Sequence, residues 1–142
     1  MRPVTEATTQ PIDFDELERQ AAMDWASKVI DPLLSLQANW DSYGAVPLNI
    51  SVAKMGKGLL ASLAIQKVAS PQVIPTSDGG LSLEWHRPEL DFVISLSPPH
   101  EDPSTAYFRT ATEHWEVDIF GDGNSRIGDA LAALMERDRP GS

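Results

Sequence analysis

The apolar residues of this chain change their spacing at Ser70-Pro71, and that change limits the folds available to it. Before this point they recur every three or four residues, which is typical of amphipathic helices. Beyond it they alternate with polar residues, most regularly in Leu90-Asp91-Phe92-Val93-Ile94-Ser95-Leu96, which is typical of strands with one buried face. The order of the two patterns predicts helices first and an antiparallel sheet second.

Two helices are predicted in the first half of the chain. The first begins after Asp13, whose carboxylate can accept hydrogen bonds from the free N–H groups of the first turn. It ends or kinks at Pro32, because proline has no N–H to donate and fits best in the first turn of a new segment. The residues predicted to face the core are Phe14, Leu17, Ala21, Trp25 and Val29.

The second helix is predicted to start after Asn49 or Ser51, either of which can cap it. Its apolar stripe consists of Val52, Gly56, Leu59, Leu60, Leu63 and Ala64. Gly56 and Gly58 each lower the stability of a helix by roughly 1 kcal/mol relative to alanine. Close packing against another element would explain Gly56.

The segment between the two helices, 39–48, contains turn-forming residues together with large aromatic ones. We expect a structured connection in which Trp40 packs under the sheet or between helices. Asp41 is expected to bond to nearby backbone groups, and Gly44 to adopt a positive φ.

Five strands are predicted at 73–76, 81–86, 90–96, 105–110 and 114–120. The Asp78-Gly79-Gly80 turn joins the first two strands, and Pro88 separates the second from the third. The prolines of Ser97-Pro98-Pro99-His100-Glu101-Asp102-Pro103 predict an exposed loop. A last helix carries Ile127, Ala130, Leu131 and Leu134 on one face.

The predicted fold class is α+β: N-terminal helices, an antiparallel meander of about five strands and a C-terminal helix, with the helices packed on one face of the sheet. A chain of 142 residues fits one domain. We expect a flexible N-terminal arm over 1–12, a single domain over 13–137 and a frayed terminus over 138–142.

Composition excludes several functional classes. The chain has no cysteine, which removes disulfides, thiolate nucleophiles and cysteine metal sites. Its 21 acidic residues against 11 Lys and Arg, a net charge of −10, oppose direct binding to nucleic acid. No signal peptide precedes the first helix and no apolar run reaches the roughly 18 residues of a membrane span, so we expect a cytoplasmic protein that does not bind membranes.

The polar face of the predicted sheet is the main candidate site. The segment from Leu81 to Phe120 holds eight acids and two bases, which is −6 of the net charge. Such a face could dock a basic protein surface, including one that otherwise binds nucleic acid. The candidate partner-binding residues are Glu84, His86, Asp91, Glu101, Asp102, Tyr107, Arg109, Glu116 and Asp118. An acidic surface that serves only solubility is the competing interpretation.

Two further functions remain open. His86, His114 and Glu116 have side chains that suit zinc or manganese, so a metal-dependent or small-ligand enzyme is one alternative if their strands are adjacent. No serine or histidine lies in a recognisable nucleophile motif, and no phosphate or calcium loop is present, so we assign no catalytic residue and no cofactor. A homodimer that pairs through exposed sheet edges is the other alternative.

Two segments have a distinctive spacing: Trp40-Asp41-Ser42-Tyr43-Gly44-Ala45-Val46-Pro47 and Pro75-Thr76-Ser77-Asp78-Gly79-Gly80-Leu81-Ser82-Leu83-Glu84-Trp85. They resemble a recurrent group of small, uncharacterised bacterial proteins that share Trp-Asp-x-x-Gly-Ala-x-Pro and Pro-Thr-x-Asp-Gly-Gly-x-x-Leu-Glu-Trp. The resemblance covers roughly Leu36 to Phe120 and implies a bacterial or phage origin. The leading hypothesis is a non-enzymatic, acidic protein-binding module, such as an antitoxin or a phage-type inhibitor.

Overall fold

The computed structural model describes residues 11–100, 102–121 and 124–140, so most of the predicted N-terminal arm lies outside the described residues. The elements in chain order are α1 (Phe14–Ile30), a 3-10 helix (Asp31–Ser35), α2 (Ile50–Ile65), β1 (Gln72–Pro75), β2 (Leu81–Arg87), β3 (Leu90–Leu96), β4 (Thr105–Thr110), β5 (His114–Asp118) and α3 (Asn124–Asp138). The predicted α+β order is confirmed. The last strand ends two residues before the predicted end at Phe120.

The helices begin and end where the sequence predicts. The Asp13 carboxylate accepts a hydrogen bond from the Glu16 N–H at 3.0 Å, which caps α1. Pro32 lies in the first turn of the 3-10 helix, where its missing N–H costs nothing. Asn49, and not Ser51, caps α2 by accepting from the N–H groups of Ser51 and Val52.

The five strands form one antiparallel sheet in the order β1-β2-β3-β4-β5. A row of aromatic side chains crosses four of them in register: Trp85, Phe92, Phe108 and Trp115. Neighbouring ring centroids lie 5.3, 6.3 and 5.3 Å apart, alternating between stacked and edge-to-face contacts. These cross-strand contacts favour the observed register, because a shift by one residue would turn the aromatic rings to the other face.

Helices α2 and α3 pack on the face of the sheet that carries this aromatic row, and α1 packs against α2. The buried residues of all three helices join one hydrophobic cluster with the aromatic row. Gly56 lets α2 approach the sheet closely: a Cβ atom there would lie 2.9 Å from Cδ1 of Leu81. Close packing was the predicted reason for a glycine at this position. Leu60 of α2 and Leu134 of α3 are fully buried in the same cluster.

The predicted apolar face of α1 is wrong at its N-terminal end. Phe14 is 73% exposed and Leu17 is 56% exposed, whereas the residues that α1 buries are Ala22, Ala26 and Ile30. Helix α2 ends at Ile65, which lies beside Ala21 and Ala22 of α1. The first turn of α1 extends beyond this end of α2 and therefore has little to pack against. Small alanine side chains at the contact let the two helices lie close together.

Helix α3 extends through Asp138, one residue beyond the predicted domain end at 137. The Arg87 guanidinium binds the Asp138 carboxylate through two hydrogen bonds, Nε–Oδ1 at 2.7 Å and Nη2–Oδ2 at 3.0 Å. This bidentate pair joins the end of α3 to the end of β2. Residues 141–142 of the predicted frayed terminus lie outside the described residues.

Candidate functional site

The face of the sheet opposite the helices is called the outer face. Alternation along the strands and the observed pairing place these side chains on it: Gln72, Ile74, Ser82, Glu84, His86, Asp91, Val93, Ser95, Thr105, Tyr107, Arg109, His114, Glu116 and Asp118. It includes seven of the nine residues predicted to bind a partner. The described helices lie on the other side of the sheet, so no helix within the described ranges covers the outer face.

An ion-pair network crosses three strands of the outer face. The Ser82 hydroxyl donates to Glu84 Oε2 at 2.6 Å, and Glu84 Oε1 lies 2.8 Å from Nε2 of His86. The other ring nitrogen of His86, Nδ1, lies 2.7 Å from Oδ1 of Asp91. Arg109 binds the second oxygen of the same Asp91 carboxylate. The network therefore aligns four charged or titratable side chains from β2, β3 and β4.

These contacts shift the pKa values of the network in a consistent direction. The pKa of His86 is raised above its usual value, mainly by the hydrogen bond that its ring makes to the Asp91 carboxylate and next by the one to Glu84. The pKa of Glu84 is lowered mainly by the hydrogen bond from the Ser82 hydroxyl and next by the one from His86. The pKa of Asp91 is lowered mainly by the hydrogen bond from His86 and next by the one from Arg109. Arg109 offsets one of the two carboxylates, and His86 offsets the other whenever its imidazole is protonated, so this half of the outer face carries less negative charge than its two acids alone would give.

The uncompensated negative charge of the outer face lies on β5. Glu116 and Asp118 are exposed, and within the described residues neither carboxylate has an ion-pair or hydrogen-bond partner. Tyr107 on β4 lies directly opposite Glu116 and is half-buried. An aromatic ring beside an open carboxylate is a suitable contact for an arginine or lysine side chain.

The candidate metal ligands are not brought together. His86 lies on β2 and His114 on β5, with β3 and β4 between them. Strands lie roughly 4.8 Å apart, which separates the two backbones by about 14 Å. Across the part of the chain that the structure describes, no group of three or more His, Asp or Glu side chains is arranged to hold a metal ion. The predicted set of His86, His114 and Glu116 therefore does not form one site.

The loop between β3 and β4 is exposed at Pro99, His100, Asp102 and Pro103, as predicted. Its first residues are anchored, because the Ser97 N–H donates to the Ser104 hydroxyl at 2.9 Å and Pro98 is buried. Asp102, a candidate partner-binding residue, is exposed at the edge of a depression of about 320 Å³ at this end of the sheet. Glu101, the other candidate in this loop, lies outside the described residues.

The two segments that carry the resemblance contact each other. The Val46 N–H donates to the carbonyl oxygen of Ser77, and the Asn49 N–H to that of Gly79, both at 3.0 Å. Their spacing is therefore explained by a shared structural joint between the start of α2 and the β1–β2 turn. This joint lies at the end of the sheet and contributes no charged side chain to the outer face.

The Trp40 loop is structured, as predicted, but its aromatic residues behave differently from the prediction. Asp41 Oδ1 accepts from the N–H groups of Tyr43 and Ala45, and Gly44 has a φ of 85°. Trp40 is half-buried and donates its indole N–H to the Val46 carbonyl, so it braces its own loop instead of packing under the sheet or between helices. Tyr43 is 91% exposed.

A groove between β5 and α3 was missed by the sequence reasoning. It has a volume of about 420 Å³, and Trp115 and Glu113 form the wall on the sheet side. Arg126 and Asp129 of α3 form the other wall, with the Arg126 guanidinium 5.6 Å from the centre of the Trp115 ring. Trp115 is half-buried as a result. Only the position of α3 beside the sheet creates this groove, and periodicity does not specify that position.

The structure assigns this chain to the α+β class, and comparisons with known proteins add no family to that assignment. No protein-family model, curated protein or solved structure matches the chain. None of the helices in the described ranges combines the length and the apolar character that crossing a membrane requires.

Proposed function

We propose that this chain is a non-enzymatic protein-binding module that docks a basic surface of another protein onto the outer face of its sheet. The observation that supports this most directly is the pair of exposed carboxylates on β5, Glu116 and Asp118, on a face that no described helix covers. An antitoxin or a phage-type inhibitor is the specific form of this proposal, and it agrees with the bacterial or phage origin that the resemblance of the 40–47 and 75–85 segments implies. The basic surface of the partner can be one that otherwise binds nucleic acid.

Charge and rigidity both support this function. The net charge of −10 attracts a basic partner over distances of about one Debye length, which speeds association more than it adds affinity. The outer face is built on paired strands, so the backbone positions of its residues are set before a partner arrives. Tyr107 provides an aromatic contact beside the open carboxylate of Glu116.

Capture from the native cell or host tests the proposal when wild type is compared with matched charge reversals. The face variant is Glu116→Lys with Asp118→Lys. The control variant is Glu18→Lys with Asp24→Lys, two exposed positions on α1 that change the net charge by the same amount. Binding to a basic protein is expected to survive in the control, to be lost in the face variant and to weaken as salt rises from about 50 to about 500 mM.

Retention of the same protein by the face variant, or retention that salt does not weaken, would contradict the proposal. Because both variants carry four more positive charge units than wild type, a loss in both would indicate a general charge effect and would also count against a specific face. Circular dichroism of each variant confirms that the sheet is intact before binding is compared.

A further inference from the structure

We infer that β5 binds its partner by strand addition: a basic, extended segment pairs antiparallel with the free edge of β5 and places alternate side chains on the outer face and over the groove beside α3. This inference rests on the proposed function and specifies its binding mode. It is carried by the backbone pattern of β5, by the contrast between the two edges of the sheet and by the charges along this edge.

The hydrogen-bond phase of β5 leaves an open edge. The Thr110 N–H donates to the Glu113 carbonyl, and the Ile119 N–H donates to the Ser104 carbonyl, on either side of the β4–β5 ladder. Hydrogen-bonded pairs alternate along an antiparallel ladder, so Trp115 and Val117 bond to β4. The backbone groups of the alternate residues, His114, Glu116 and Asp118, point away from the sheet.

Most of these outward groups have no backbone partner within the described ranges. The exception is the Asp118 carbonyl, which accepts from the Gly121 N–H at 3.2 Å. The N–H and carbonyl groups of His114 and Glu116 and the N–H of Asp118 are therefore available to another strand. Such groups are the main source of affinity when a peptide extends a sheet.

The opposite edge of the sheet is protected. The Thr76 N–H donates to the Gly80 carbonyl, which sets the phase of the β1–β2 ladder and turns the backbone of Val73 and Pro75 away from β2. Pro75 has no N–H, and Pro71 precedes the strand, so β1 offers a single outward donor, that of Val73. β5 contains no proline, so the two edges differ in their capacity to pair.

The charges beside β5 select a basic occupant. Glu116 and Asp118 point to the outer face. The groove is bordered by two acidic residues, Glu113 and Asp129, and by one basic residue, Arg126. An added strand places every second side chain next to these outer carboxylates, where Arg or Lys is favoured. Its other side chains face the Trp115 ring, where apolar residues are favoured. A second copy of this chain brings a further net charge of −10, which opposes self-pairing.

Synthetic peptides test the mode of binding on the wild-type chain. The probe is a blocked eight-residue peptide in which Arg and Val alternate. Two derivatives have the same charge and composition: one is N-methylated at every Arg, the other at every Val. In antiparallel pairing, a residue opposite Glu116 shares its face and directs its N–H toward β5, so the Arg amides are the ones that bond. Calorimetry or fluorescence anisotropy gives the affinities.

Methylation at Arg is expected to weaken binding by about tenfold or more, because each complex then loses two or three N–H donors. Methylation at Val is expected to leave the affinity within about threefold, because those amides face solvent. Equal affinity of all three peptides would overturn strand addition. The proposed function would still stand in that case if the binding weakens with salt and is abolished by Glu116→Lys with Asp118→Lys. Failure of all three to bind would also overturn the inference.

Variants of the chain provide the reciprocal test. Glu116→Pro and Glu116→Gln remove the same charge, but only proline removes the outward N–H, and an edge strand tolerates proline at such a position. The proline variant is expected to bind the unmethylated peptide at least about tenfold more weakly than the glutamine variant. Equal binding by the two folded variants would contradict strand addition. Light scattering tests whether a second copy of the chain occupies the edge instead. If wild type is a dimer and Glu116→Pro dissociates it, the inference of a basic peptide segment as the occupant is overturned.

Discussion

The backbone N–H of Asn49 donates to the carbonyl oxygen of Gly79 at 3.0 Å, and this bond joins the cap of α2 to the β1–β2 turn. Asn49 also caps α2 with its side chain. One residue therefore holds the end of a helix and the turn of a hairpin at a fixed distance. The joint explains why turn-forming residues recur at both places in the sequence.

We predict that Gly79→Ala destabilises the fold by about 1 to 3 kcal/mol. Gly79 has a φ of 88°, and a Cβ atom there would lie 3.1 Å from the Pro47 carbonyl oxygen. Gly58→Ala is the matched control: it lies in α2 with nothing within 4 Å of the new Cβ, and should raise stability by up to about 1 kcal/mol. Urea unfolding measures both, and a loss of stability at Gly58 that equals that at Gly79 would contradict the prediction.

Trp85 should be the aromatic residue whose removal costs most. It is 1% exposed, stacks on Phe92 and donates its indole N–H to the Ala69 carbonyl at 2.7 Å. We expect Trp85→Ala to cost about 3 to 5 kcal/mol and Trp85→Phe about 1 to 2 kcal/mol. Tyr43→Ala, at a side chain that is 91% exposed, should stay within about 0.5 kcal/mol of wild type in the same unfolding assay. A larger cost at Tyr43 than at Trp85 would refute this ranking.

The contribution of His86 to stability should depend on pH. Because its contacts with Asp91 and Glu84 raise its pKa, this contribution is fully present below about pH 6.5 and is lost as the pH rises through the folded-state pKa. Glu84 and Asp91 have lowered pKa values, so their contribution is present above about pH 4 and is lost on further acidification. The network is therefore most effective between these limits, and its effect stays modest because His86 is exposed.

Unfolding of wild type and His86→Gln at about pH 5.5 and about pH 8.5 checks the direction of this effect. The difference between the two proteins should be larger at the lower pH. In an NMR titration, Asp91→Asn should lower the pKa of His86, because the larger of its two stabilising contacts is lost. A His86 pKa that does not respond to Asp91→Asn would show that the contact between His86 and Asp91 does not exist in solution.

The bidentate contact between Arg87 and Asp138 should couple α3 to the sheet. Both side chains are about a third exposed, so a double-mutant cycle with alanine should give a coupling energy of about 0.5 to 1 kcal/mol. The more exposed Arg19–Glu16 pair on α1 is the control, and its coupling is expected to be smaller than that of Arg87 with Asp138. Thermal unfolding of the four proteins in each cycle measures both couplings. A coupling between Arg87 and Asp138 no larger than that of the control would show that the contact does not hold α3.

The sequence alone determined the order of elements, the strand faces and several helix boundaries. The alternation in Leu90–Leu96 fixed which side chains point toward the helices, because successive residues in a strand point to opposite faces. Asp13, Pro32 and Asn49 marked helix ends through local hydrogen bonds that involve only neighbouring residues. These properties depend on short stretches of chain, which is why they could be predicted.

Only the tertiary structure decided which residues meet. The exposure of Phe14 depends on where α2 ends. The strand order separates His86 from His114, and the position of α3 creates the groove beside Trp115. The sequence placed His86 and Asp91 on the outer face, but their pairing required the register of β2 with β3. Contacts between distant segments depend on how whole elements pack, and no local periodicity encodes that packing.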